Sequence, residues 1–267
     1  GVVGGTSGTS ITVEGCRNTG AVSNTSDIGN TGTDIYTGGV VGNAENAYVN
    51  NCYNTGAVKS THNSSSSFSA NNTGGVVGSM YNTTTVSNCY NTGSVTGTGT
   101  AQNQYTGGAV GRMSTNATVS DCYFLQDENK NINSSLNAIG SGSGTNVESK
   151  TAAAFASGEV ACLLQSGQTG ADTDPIWVQV KSTDGTYYPA LYALLSEEEE
   201  ICNVYVVTFQ ISENESVKKY AIAGGTVAEI PIAPEGSAWC AGNEEFTAST
   251  VVTKDLTVTA KPRAAAP

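Results

Sequence analysis

Basic residues are scarce in this chain and imidazole is nearly absent. Of 267 residues, 11 are Lys or Arg against 23 Asp or Glu, a net charge of -12. That is the wrong sign for holding a phosphate backbone, and no basic stripe offsets it, so nucleic acid is excluded as a partner. The single histidine, His62, stands in a Ser-rich stretch and is expected to be solvated. A hydrolytic triad needs a base beside its nucleophile, and one loop histidine gives it nowhere to form. There is no His-Glu-x-x-His, no Gly-rich loop opening a helix for phosphate and no CxxC pair for zinc. No run approaches the roughly 18 apolar residues that a membrane-spanning helix requires, and no leader-like segment opens the chain. Gly1 falls inside a repeat, so the chain is expected to be a piece of a longer protein, and the missing leader has no bearing on compartment.

What the sequence has is repetition. A Gly-Val-Val-Gly segment is followed by Val-x-x-Cys and then by Tyr/Arg-Asn-Thr-Gly-Ala/Ser-Val. Copies run from Gly1 to Val22, Gly39 to Val58, Gly75 to Val95 and, more weakly, Gly108 to Leu125. Each copy is one supersecondary unit that buries its apolar face only against its neighbours. Residues 1–125 are therefore expected to form an all-β, right-handed parallel β-helix, or solenoid. Val40, Val41, Val49, Val58, Val76, Val77, Val86, Val95, Val110 and Val119 read as its inward wall.

Cys16, Cys52, Cys89 and Cys122 recur 36, 37 and 33 residues apart. Equivalent positions on stacked coils lie side by side, where a thiol fills space as Ala or Val would. In-register parallel neighbours suit disulfide geometry poorly, which predicts a buried, reduced ladder. The chain has seven cysteines, so at least one lacks an intramolecular partner. Val and Cys in Val-x-x-Cys are three apart, which a regular strand places on opposite faces, so a bend or bulge between them is implied. Gly-Gly and Asn-Thr-Gly read as corners that tolerate positive φ, and Asn18, Asn54 and Asn91 as a stacked asparagine ladder.

Three polar inserts, Ser23 to Gly38, Lys59 to Gly74 and Thr96 to Gly107, read as loops gathered on one face of the stack, the first place to look for binding. Tyr36 and Tyr105 stand at matching places before a glycine corner, with Asn72 between them in the series. Packing at that corner and stacking on a ligand are both open to these tyrosines. Tyr36, Phe68 and Tyr105 are the candidate ligand-binding residues. The repeat acids Glu14, Asp27, Asp34, Glu45 and Asp121 recur at no common position, against the paired carboxylates of glycoside hydrolysis or the acid cluster of a lyase. Asp172 and Asp174 fit a calcium ligand pair or, more simply, an Asp-rich turn. No catalytic residue, metal or cofactor is expected, and the chain reads as a non-enzyme.

Residues 126–195 read as a region that caps the solenoid. A helix from Thr151 to Leu164 presents Ala156, Val160, Leu163 and Leu164 on one side, and Trp177, Tyr187, Tyr188, Pro189 and Leu191 continue the cap. The acidic run Glu197 to Glu200 marks a linker over 196–203. Residues 204–262 form a small β-rich module with strand-like runs at Val204 onward, Ser216 to Ala223, Glu229 to Ile232 and Thr250 to Ala260, before a tail at 263–267.

Gly39-Val40-Val41-Gly42 followed by Val49-Asn50-Asn51-Cys52-Tyr53-Asn54-Thr55-Gly56-Ala57-Val58 resembles the GLUG motif, a Gly-rich repeat of bacterial surface proteins, and Gly75 to Val95 repeats the likeness. The tract from Phe155 through Trp177 to Tyr188-Pro189 is similar to the segment that commonly follows such repeats. Val206-Val207-Thr208-Phe209, Gly225, Pro231, Pro234, Gly236, Trp239, Phe246 and the run Thr250 to Ala260 resemble the Listeria-Bacteroides repeat, a small β-grasp-like module. These resemblances imply an extracellular, cell-surface or secreted bacterial protein with a non-catalytic adhesive or display stalk. Carbohydrate or a host surface protein is the implied partner, with no membrane insertion. The alternative is the accessory region of a secreted peptidase or glycan-degrading enzyme.

Overall fold

The computed structural model describes residues 1–30, 32–166, 168 and 174–263. The chain divides into two compact units, Gly1–Ala152 and Ala153–Pro267.

The first unit is a parallel β-solenoid. One sheet stacks Val3–Gly5, Val41–Glu45, Val77–Tyr81, Val110–Met113 and Ile139–Ser141, with Val3, Val41, Val77, Val110 and Ile139 in register. A second stacks Ile11–Glu14, Ala47–Asn50, Thr85–Asn91, Thr118–Leu125 and Thr145–Lys150. Their inner faces share one core of Val40, Val41, Val49, Val76, Val77, Val86, Val110, Val119, Cys52, Cys89 and Cys122 with Ala and Met fillers. Cys89 pairs in register with Cys122, and all seven cysteines are free thiols.

The implied break between Val and Cys is a single left-handed residue. Gly15, Asn51, Asn88 and Asp121, each directly before a ladder cysteine, have φ of 63°, 52°, 51° and 50°. One αL residue resets the alternation, so both Val49 and Cys52 face inward, and Asn, Asp and Gly are the residues that accept it at least cost. It also turns each Sγ–H toward the carbonyl two residues back: Cys52 to Asn50 O at 3.1 Å, Cys89 to Ser87 O at 3.0 Å and Cys122 to Ser120 O at 3.1 Å.

The glycine corners work differently from the sequence expectation. Gly39, Gly56, Gly75 and Gly93 do not adopt positive φ; the left-handed corner positions are asparagines such as Asn46 and Asn82. The glycines are required by close approach. A Cβ on Gly39 would lie 2.1 Å from Gly75 O and 2.4 Å from the Asn54 carboxamide carbon. That carboxamide belongs to the asparagine ladder: Asn18 Nδ2 donates to Asn54 Oδ1 and Asn54 Nδ2 to Asn91 Oδ1, each at 2.7 Å. Phe124 takes the next register position beyond Asn91 and ends the ladder.

The polar inserts are not loops. Val22–Gly29, Val58–Ser64 and Val95–Gly99 form a third parallel sheet, and Ile35–Gly38, Ala70–Gly74 and Asn103–Gly107 a fourth. Their facing side chains make a polar interior. Thr37 Oγ1 donates to Ser60 Oγ at 3.2 Å, Ser60 Oγ to Asn71 Oδ1 at 2.6 Å, and Asn71 Nδ2 to Thr98 O at 2.9 Å. Hydroxyls and carboxamides that satisfy one another can be buried without the usual penalty, which is how a composition resembling a loop builds two sheets.

The solenoid also continues past residue 125. Ile139 pairs with Val110 and Val147 with Cys122, and Asn146 repeats the left-handed φ at 53°. Ala138-Ile139-Gly140 and Thr145-Asn146-Val147 are thus a decayed further copy, so residues 139–150 are solenoid rather than cap.

In the second unit the single helix expected from Thr151 to Leu164 is two, Ala152–Ser157 and Glu159–Gln165, broken at Gly158 with φ 88°. A Cβ there would meet Val204 Cγ2 at 2.4 Å, so the break seats the chain against the following β region. The acidic run is not a free linker. Glu200–Cys202 pairs with Trp177–Lys181, which also pairs with Tyr187–Leu191, and Tyr188 Oη donates to Glu199 at 2.5 Å. The last sheet has the order Ser216–Ile222, Val204–Gln210, Leu256–Pro262, Ser237–Ala241, Glu244–Glu245, with the second and third strands parallel. Phe209 packs edge-on against Trp239 and Phe246, and Trp239 Nε1 donates to Pro231 O at 2.8 Å. Glu229 to Ile232 is irregular, because Pro231 and Pro234 break any ladder there, and the final strand begins at Leu256 rather than Thr250.

Candidate ligand-binding face

Tyr36, Asn72 and Tyr105 stand in register on the fourth sheet, one per coil. The strands on either side of the glycine corner fold back on each other so closely that a Cβ on Gly78 would lie 2.6 Å from Thr37 N, and one on Gly111 2.7 Å from Thr73 N. Successive side chains of a strand alternate in direction. Thr37 and Thr73 join the polar interior, and Tyr36, Asn72 and Tyr105 face the column Asn43, Ser79, Arg112 of the first sheet.

Tyr81, at the end of its strand, completes the group. Its ring meets Tyr36 edge-on at 6.2 Å between centroids. The Arg112 guanidinium carbon lies 5.8 Å from the Tyr81 centroid and 5.3 Å from that of Tyr105. Arg112 Nη1 lies 3.5 Å from Tyr81 Oη and 3.7 Å from Asp34 Oδ2, while Asp34 Oδ1 accepts the Ala70 N–H at 2.8 Å. The result is a row, Tyr36, Tyr81, Arg112, Tyr105, that is half-buried along its length. Burial pushes the Tyr36 phenol well above its ordinary range, with Tyr81 and Asp34 adding to the shift and Arg112 opposing it. The phenol is therefore a neutral donor and acceptor at physiological pH.

Register positions within the row also carry unsatisfied polar atoms. Asn72 Oδ1, Ser79 Oγ and Asn43 Oδ1 are buried without a hydrogen-bond partner among the described residues. Where its register neighbours carry tyrosine, Asn72 is shorter, and its Nδ2 reaches Ile35 O at 3.2 Å. Such an arrangement of flat rings, a planar cation and polar side chains can hold a polar ligand by stacking and hydrogen bonds. No residue in it has the base–nucleophile or paired-acid geometry of a catalyst.

Two of the three candidate binding residues are thus brought together. Phe68 is not: it is 82% exposed in the turn between the third and fourth sheets, over Gly32. Tyr81 and Arg112 were missed by sequence reasoning because they lie inside the repeat rather than in an insert. Their signal was available, since Arg112 stands in register with Asn43 and Ser79, and Tyr81 with Glu45.

No family model and no curated protein matches the chain. A candidate immunoglobulin A1 protease from Bacteroides ovatus has a similar solved structure, at a TM-score of 0.35 and 16% identity, with 66% of this chain and 57% of that one covered. The chain therefore spans little more than half of that protein.

His62 contradicts the expectation of a solvated side chain. It is fully buried in the third sheet, because the alternation through Val58, Ser60, His62 and Ser64 points it inward. Nε2 lies 2.9 Å from Thr33 O, the geometry of an Nε2–H donor, and Nδ1 has no partner among the described residues. The repeat acids serve the frame. Glu14 accepts from Asn50 and Asn51, Glu45 from Asn82, and Asp121 from Asn146. Among the described residues no three His, Cys, Asp or Glu side chains converge as a metal site. Asp174 is exposed, and Asp172 lies outside the described residues.

Proposed function

We propose that this chain is a non-catalytic, extracellular segment of a bacterial surface protein, an adhesive or display stalk that binds glycan or host protein through the row Tyr36, Tyr81, Arg112, Tyr105. The row itself carries the reading: three tyrosines and an arginine, contributed by different coils, lie together, and buried polar groups that lack partners share their register positions. The GLUG-like repeats and the Listeria-Bacteroides-like module of the sequence support a surface location. Stacked backbone ladders suit a rigid spacer, since each coil is bonded to the next along its whole length.

A glycan array probed with the whole chain and with a Tyr36→Ala/Tyr105→Ala variant tests the binding role. Binding by the parent that the variant loses supports it, whereas a parent chain silent toward glycans and host-cell surfaces alike sinks it. Membership of a secreted peptidase or glycan-degrading enzyme is decided by the parent gene, where a catalytic motif outside this segment would favour that alternative.

A further inference from the structure

Arg112 makes its polar contacts through one nitrogen. Both of them, to Tyr81 Oη and Asp34 Oδ2, are made by Nη1, and Nε and Nη2 have no hydrogen-bond or ion-pair partner among the described residues. Neither of these two atoms is among the buried groups without partners, and 36% of the side chain is exposed. The unengaged edge of a guanidinium that carries Nε and Nη2 is the one that receives the two oxygens of a carboxylate as parallel hydrogen bonds. Asp34 does not fill this role: it touches only Nη1, at long range, and its other oxygen is engaged by Ala70 N–H. Asp34 therefore orients the guanidinium while leaving its fork open.

The surroundings select the rest of the ligand. The Tyr81 and Tyr105 rings both lie within 6 Å of the guanidinium carbon, at 5.8 and 5.3 Å, so a group bound at the fork has aromatic surface close by. A pyranose ring offers a rigid face of C–H groups to such surfaces and hydroxyls to Asn, Ser and phenol groups, whereas an acidic peptide side chain offers only a short flexible methylene stem and no hydroxyl. From the open fork beside two tyrosines we infer that the site recognises a sugar acid, a pyranoside bearing a carboxylate such as a sialic or hexuronic acid residue. This rests on the binding role proposed above and names the chemistry of its ligand.

The test is calorimetric titration of the whole chain with sialyllactose, a glucuronic acid disaccharide, their methyl esters, lactose, a sulfated disaccharide and a Glu-rich peptide. Parent, Arg112→Lys and Arg112→Gln chains are compared, with thermal midpoints measured to establish that each variant is folded. The carboxylated sugars are expected to bind at least about tenfold more tightly than their esters or lactose, the scale of one lost charge-assisted pair. Arg112→Lys keeps the charge and loses the fork, so it should lose about tenfold on the acids and leave the esters unchanged. A merely structural arginine would move the thermal midpoint without separating acid from ester. Lactose binding as tightly as sialyllactose overturns the sugar-acid inference while the binding role stands. Preference for the sulfated sugar or the peptide overturns it as well, and a chain that binds no probe, no glycan on the array and no host-cell surface takes the binding role down with it.

Discussion

The carboxamide of Asn54 donates to Asn91 Oδ1 at 2.7 Å and with the same nitrogen to Gly56 O at 2.7 Å, while its oxygen receives Asn18. All of this is fully buried at Asn54. Asn54→Ala removes three hydrogen bonds and leaves buried partners without substitutes, so it should cost about 2 kcal/mol or more. Urea denaturation measures this, and a variant as stable as the parent would show the ladder to be incidental.

Gly75→Ala should be harsher still. Its Cβ would lie 2.1 Å from Gly108 O and 2.4 Å from the Asn91 carboxamide, neither of which can retreat without parting two coils. A loss of about 3 kcal/mol, or failure to fold, is expected. Gly4→Ala is the control, since nothing lies within 4 Å of a Cβ there, and it should shift the denaturation midpoint little.

Thiol chemistry separates the interior from the rim. Burial, reinforced by the neighbouring Cys122 and Cys52 sulfurs, pushes the Cys89 thiol well above its ordinary range. A raised thiol stays protonated at neutral pH and gives no nucleophilic thiolate. In the folded chain Cys89 should therefore resist iodoacetamide at pH 8 and react only on unfolding, while half-buried Cys240 is modified first. Peptide mapping after timed alkylation reads the order, and early labelling of Cys89 would contradict a sealed ladder.

Asp184 anchors a turn by accepting from Ser182 Oγ, Thr186 Oγ1 and Thr186 N–H, contacts that hold its carboxyl at about 2. A depressed carboxyl stabilises the turn fully above its ordinary range near 3.9 and stops doing so as pH falls through the folded value. Amide exchange at Thr186 should thus stay protected at pH 5 and lose protection between about pH 4 and 2. Asp184→Asn should remove the pH dependence, and protection that persists unchanged at pH 2 would count against the anchor.

The frame was largely legible in the sequence, because its repeat encodes the register directly. A valine column, a cysteine column and an asparagine ladder can be read from Val-x-x-Cys-x-Asn, and the αL residue before each cysteine is the physical meaning of the Asn, Asp or Gly found there. The inserts were not legible by composition. Ser60, Asn71 and Thr73 look like loop residues until each is seen to satisfy another across two sheets. The period-two burial through Val58, Ser60, His62 and Ser64 shows only in the structure. The candidate site was half visible: Tyr36 and Tyr105 announce themselves at matching positions, but only three-dimensional stacking brings Tyr81 and Arg112 between them, and Phe68 stays apart.

The interior shared by the insert sheets also shapes how the molecule responds to temperature. Hydrating exposed carbon raises the heat capacity of an unfolding chain, and hydrating hydroxyls and carboxamides lowers it. Two sheets whose enclosed faces are Thr, Ser and Asn contribute to the melting enthalpy through broken hydrogen bonds but little to the heat-capacity increment. Scanning calorimetry should accordingly give less than the usual 12–15 cal/mol/K per residue, about the average for globular chains. The stability curve is then broad and shallow, and the fold weakens slowly on cooling as well as on warming.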